Sequence, residues 1–129
     1  LLSRARQDSW SKAPPEHLVV GLCAAWCSTC REFQQTFEAL ERRYPERSFV
    51  WLDVEDDAAI VGDIDVENFP SLVVFKRGTP VFFGVTLPQQ GVIERLIVAL
   101  DDAPEVLVPQ EVSALYQALV HRPPAPPAA

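Results

Sequence analysis

Residues 22–30 read Leu22-Cys23-Ala24-Ala25-Trp26-Cys27-Ser28-Thr29-Cys30, and this stretch holds all three cysteines of the chain. Taken whole, it spells C-x-x-x-C-x-x-C, a spacing that can hold an iron–sulfur cluster. Its second half alone is C-x-x-C, the spacing of a reversible dithiol. The flanks bear on the choice. Upstream, Leu18-Val19-Val20-Gly21-Leu22 is apolar without alternation, as in a strand buried on both faces. Downstream, Phe33, Phe37, Leu40 and Tyr44 recur on one face of a helix, with Glu32, Gln35, Glu38 and Arg42 turned away, until Pro45 ends it. The motif therefore sits where a buried strand hands over to an amphipathic helix. At that junction Cys27 falls at a helix N-terminus, where free N–H groups and the helix dipole favour the thiolate and lower the cysteine pKa. Cys30 lies one turn further on, close enough to close a disulfide. Small Ser28 and Thr29 leave the Cys27 sulfur open to a bulky partner. Cys23 belongs to the strand. An extended chain places its Cα roughly 10–13 Å from that of Cys27, beyond the roughly 7 Å limit for bridging, so the expectation for Cys23 is a small buried hydrophobe, with a regulatory or metal-binding thiol as the alternative.

A chain of 129 residues is the size of one domain and too short for the barrel scaffold of radical-SAM chemistry. An odd number of cysteines closes no disulfide framework, so the motif is a local site. One C-x-x-C supplies only two zinc ligands, and the two histidines, His17 and His121, are distant in sequence and read as surface residues. No metal is expected. The net charge of −7, concentrated in Asp53, Glu55, Asp56, Asp57, Asp63, Asp65 and Glu67, gives a nucleic-acid role no electrostatic support. No apolar run is long enough for a membrane span, and no phosphate loop or Ser-His-Asp order is present.

The rest of the chain extends the strand and helix pattern. Residues 1–13 form a short helix stopped by Pro14-Pro15. A second buried strand is expected at Phe49–Val54, and a short helix at 56–62 ending near Gly62. Leu72-Val73-Val74-Phe75, the turn Lys76-Arg77-Gly78-Thr79 and Val81-Phe82-Phe83 make an antiparallel hairpin, with Pro80 suited to an edge strand. Pro88 reads as the first position of a helix carrying Val92, Ile93, Leu96, Ile97 and Leu100 on one face. Pro109 opens a further helix, with Val112, Leu115, Tyr116, Leu119 and Val120 on one side. The chain thus divides into an N-terminal helical segment (1–16), a β-α-β-α-β-β-α domain (17–100), an appended amphipathic helix (101–121) and a disordered Pro/Ala tail (122–129).

Ala24-Ala25-Trp26-Cys27-Ser28-Thr29-Cys30, followed by Asn68-Phe69-Pro70-Ser71-Leu72-Val73-Val74-Phe75-Lys76-Arg77-Gly78, resembles a thioredoxin over about residues 17–100. The resemblance implies an α/β, thioredoxin-like fold, a central mixed β-sheet flanked by helices, here with an extra C-terminal helix. It also implies a protein-disulfide oxidoreductase contributing to redox homeostasis, with Cys27 attacking and Cys30 resolving. The family's proline at Pro70 has a cis peptide bond and faces the dithiol, so Trp26, Phe69, Pro70 and Gly84 would shape a groove for extended substrate peptides. The implied partners are disulfide-containing or dithiol proteins, and a thioredoxin reductase if the chain works as a reductant. No dissociable cofactor is required. The family's buried carboxylate falls on Gly21 and its lysine partner on Trp51, while Ser28-Thr29 replaces the usual Gly-Pro. Gly21, Trp51 and the added helix favour, as the alternative, a binding or chaperone module with little redox activity. The chain contains no Met, so Leu1 reads as a trimmed end. With no signal peptide visible, the expected location is the cytoplasm.

Overall fold

The computed structural model describes residues 15–24, 28–55, 57–62, 64 and 70–120. Four strands, β1 (His17–Cys23), β2 (Ser48–Asp53), β3 (Ser71–Lys76) and β4 (Thr79–Val85), form one sheet in the order β2-β1-β3-β4. Among the described residues four α-helices accompany them, α1 (Ser28–Arg43), α2 (Ala58–Val61), α3 (Gln90–Ala99) and α4 (Gln110–Val120). The β1–β2 pairing is parallel and crosses over through α1, whereas β3 runs antiparallel to both β1 and β4. The mixed α/β sheet expected from the sequence is present. The N-terminal helical segment and the Pro/Ala tail lie outside the described residues.

Side chains of β1 alternate between two cores, as a strand buried on both faces requires. Leu18, Val20 and Leu22 join Val61 and the apolar side chains of α4 on one face. Val19 and Cys23 join Phe33, Phe37 and Leu40 of α1 and Ile93 and Ile97 of α3 on the other. The face of α4 read from its periodicity, Val112, Leu115, Tyr116, Leu119 and Val120, is buried throughout. Tyr116 reaches the hairpin turn, where Gly78 takes φ 83° and a Cβ would meet the tyrosine ring at 3.3 Å. Both the backbone angle and the close approach require glycine there.

Two boundaries differ from the sequence reading. The 56–62 segment keeps only one helical turn, closed as expected at Gly62, whose N–H donates to the Ala58 carbonyl. Pro88 does not open α3, which starts at Gln90 after Gln89 takes an extended capping conformation (φ −69°, ψ 138°), and the Pro88 carbonyl accepts a 2.7 Å hydrogen bond from the Thr36 hydroxyl that ties this loop to α1. Pro80 sits on edge strand β4, where it needs no ladder donor. Its carbonyl accepts from the Val106 N–H at 3.0 Å, so the segment after α3 covers this edge.

Candidate active site

β1 ends at Cys23, whose carbonyl accepts the Val54 N–H at 2.8 Å and whose backbone lies in register with Asp53 of β2. The strand end is thus fixed on one side by the sheet. Ala24 leads out, and α1 returns with its first turn against the strand end. Cys30, in that first turn, is 1% exposed and Cys23 is fully buried. The two are paired as a disulfide, with Cα atoms 5.8 Å apart, inside the usual range for such bonds. The Ala24 N–H points at the Cys30 sulfur from 3.4 Å.

This pairing corrects the reading of Cys23 as an inert hydrophobe. The residue is buried as expected, but the extended-chain distance was measured to Cys27, whereas the first turn of α1 folds Cys30 back onto the strand. The signal was in the sequence. A cysteine at the last position of a strand and another in the first turn of the following helix are brought together by the chain reversal between them.

Gly21, two residues before Cys23, points the same way as Cys23. A Cβ placed there would lie 2.5 Å from Cε2 of Phe33 and 3.0 Å from Cζ of Phe37. Those rings, with centroids 4.6 Å apart, fill the space beside Gly21 that a carboxylate would need. Trp51, in register with Gly21 across β1 and β2, has its indole N–H buried with no hydrogen-bond acceptor among the described residues. It lines a cavity of about 150 Å³ together with Ala24, Cys30, Arg31 and Gln34. At Gly21 the place of a carboxylate is thus filled by the Phe33 and Phe37 rings.

Pro70 is buried immediately before β3, and its carbonyl accepts the Thr86 N–H at 3.0 Å. Because Ser71 pairs with Leu22 and Leu72 with Gly84, Pro70 and Gly84 share the end of the sheet that carries Cys23 and Cys30. A Cβ on Gly84 would touch only the Phe82 ring, at an ordinary 3.4 Å. The fold does not need glycine there, and its small size leaves surface free. Trp26, Cys27 and Phe69 lie outside the described residues, so of the expected site residues the structure describes Cys30, Pro70 and Gly84, all toward one end of the sheet.

A thioredoxin family model matches residues 5–96. The chain belongs to the thioredoxin family. It is 39% identical to putative thioredoxin H10 of Arabidopsis thaliana over 61 residues, which are 47% of this chain and 40% of that protein. It is 29% identical to human (Homo sapiens) thioredoxin over 77 residues, covering 60% of this chain and 73% of the other. Among solved structures, Fasciola hepatica thioredoxin superposes with a TM-score of 0.53 at 27% identity, over 67% of this chain and 83% of that one. A Halobacterium salinarum thioredoxin variant, at 22% identity, shares the fold with a TM-score of 0.61 over 84% and 91%. With the family shown and two cysteines paired at the strand–helix junction, the chain is a thiol–disulfide oxidoreductase.

Proposed function

We propose that the chain exchanges disulfides with partner proteins through Cys27 and Cys30. Cys27 attacks one sulfur of a partner disulfide, a mixed disulfide forms, and the partner's other sulfur leaves as a thiolate. Cys30 then attacks the Cys27 sulfur, releases the reduced partner and leaves Cys27–Cys30 oxidised. The observation that carries this reading is the placement of Cys30. It is buried in the first turn of a 16-residue helix, beside the strand end, where a bulky partner disulfide does not reach it directly, as suits a resolving thiol. Trp26, Phe69, Pro70 and Gly84 would form the groove that presents the partner's extended backbone. The partners would be disulfide-containing proteins in the cytoplasm, with a thioredoxin reductase or another dithiol as the electron donor.

Trapping tests the assignment. Cys30→Ser removes the resolving thiol, so partner proteins should accumulate covalently on Cys27, and Cys27→Ser should capture none. Capture that persists without Cys27 overturns the assignment of the attacking residue.

A further inference from the structure

Cys30 has two possible partners, and the described fold joins it to the one that the family reaction does not use. We infer that Cys23 is a third redox cysteine, which takes Cys30 away from Cys27 by internal thiol–disulfide exchange. This step rests on the proposed Cys27–Cys30 chemistry, because it starts from the disulfide that chemistry leaves behind.

The Cys23 sulfur attacks the Cys30 sulfur, and its proton ends on the sulfur that leaves. The Cys23–Cys30 bond forms, the Cys27–Cys30 bond breaks, and the electron pair leaves on the Cys27 sulfur. One disulfide is exchanged for another with no external oxidant or reductant. Geometry supplies the approach, since the two Cα atoms are 5.8 Å apart and both side chains face the same core against α1. Leaving-group chemistry supplies the direction. The sequence assigns Cys27 to the start of a helix, where a thiol is more acidic and a better leaving group, while a thiol buried in apolar surroundings, as Cys23 is, is less acidic. The disulfide that joins the two buried cysteines and frees the acidic one is therefore favoured at neutral pH.

The product differs from an oxidised two-cysteine enzyme in two respects. Cys27 is again a free nucleophile although the protein is oxidised, so it can engage a second disulfide that Cys30 cannot resolve. The oxidising equivalent is stored where reductants do not reach, because Cys23 is fully buried and Cys30 is 1% exposed. Its return path is the reverse exchange, with Cys27 attacking Cys30.

The test maps the oxidised full chain. The protein is oxidised with glutathione disulfide, quenched in acid, alkylated in denaturant and cleaved after Trp26, which separates Cys23 from Cys27 and Cys30. The expected result is that most molecules carry Cys23 linked to Cys30 with Cys27 alkylated. A majority with Cys27 linked to Cys30 and Cys23 alkylated overturns the inference. A second arm uses native Cys27→Ser protein, in which Cys23–Cys30 should be reduced by dithiothreitol about tenfold or more slowly than Cys27–Cys30 in Cys23→Ser. Equal rates overturn the shielded store. Failure of partner capture by Cys30→Ser with a positive map would instead remove the proposed function and leave the Cys23–Cys30 pairing standing.

Discussion

At the scale of single residues, Gly21 shows how packing replaces a polar group. The ring edge of Phe33 occupies the place of its Cβ, so Gly21→Ala should lower the unfolding free energy by about 1–3 kcal/mol through overpacking. Gly21→Asp should cost about 3 kcal/mol or more, because a carboxylate is also buried without a partner. Urea titration of both variants checks this, and an aspartate as stable as the wild type would show that the rings move aside freely. Gly84 makes the opposite case. Its Cβ position is open to within ordinary contact, so Gly84→Val should fold normally while slowing the reduction of a protein disulfide more than that of a small one. Comparing insulin with a small aromatic disulfide as substrate measures the difference. The resemblance marked both glycines from sequence, but only the three-dimensional contacts tell the crowded one from the open one.

Among the elements, α4 is the clearest success of periodicity. The five apolar positions read from the sequence are the five that are buried, because an apolar stripe at helical spacing has to be covered and the sheet offers a free face. Leu119→Ala, at a fully buried position in this contact, should destabilise the protein by about 2–5 kcal/mol. Deleting residues 105–129 should do at least as much, measured by urea or thermal unfolding, and unaltered unfolding in both would mean that the helix is not docked in solution. The strands were legible for a similar reason, since unbroken apolar runs such as Leu18–Leu22 suit only a sheet covered on both sides. The start of α3 is less legible, since Gln89 is held extended as the cap and the Pro88 carbonyl is bound by Thr36, 52 positions away, a contact that no local pattern carries. Cys23 was misread because an extended-chain distance ignores the reversal that brings α1 back to the strand.

Across the whole molecule, Asp101 joins parts of the chain far apart in sequence. Its Oδ2 accepts from Nη2 of Arg47 at 2.8 Å, its Oδ1 lies 3.9 Å from Nδ1 of His17, and its backbone carbonyl accepts from Nζ of Lys76. The hydrogen bond from Arg47 holds the carboxyl below its ordinary pKa, against a smaller opposing effect of burial, and the charges of Arg47, His17 and Lys76 add to the lowering. A lowered folded-state pKa means that the stabilisation is complete above about pH 4, the unfolded value, and is lost as pH falls through the folded one. Asp101→Asn should therefore be less stable than the wild type at pH 7, and the gap should close in acid below that range. Because the carboxylate is partly exposed, the gap should also shrink in high salt. Unfolding curves at several pH values and salt concentrations check both trends. The two cores on opposite faces of the sheet have a practical consequence. Cys23 and Cys30 lie with α1 and α3 on one face of the sheet, and α4 lies on the other. Anchoring the protein to a solid support through the outer surface of α4 should thus leave the dithiol end facing solution, and immobilised protein should still turn over large protein disulfides.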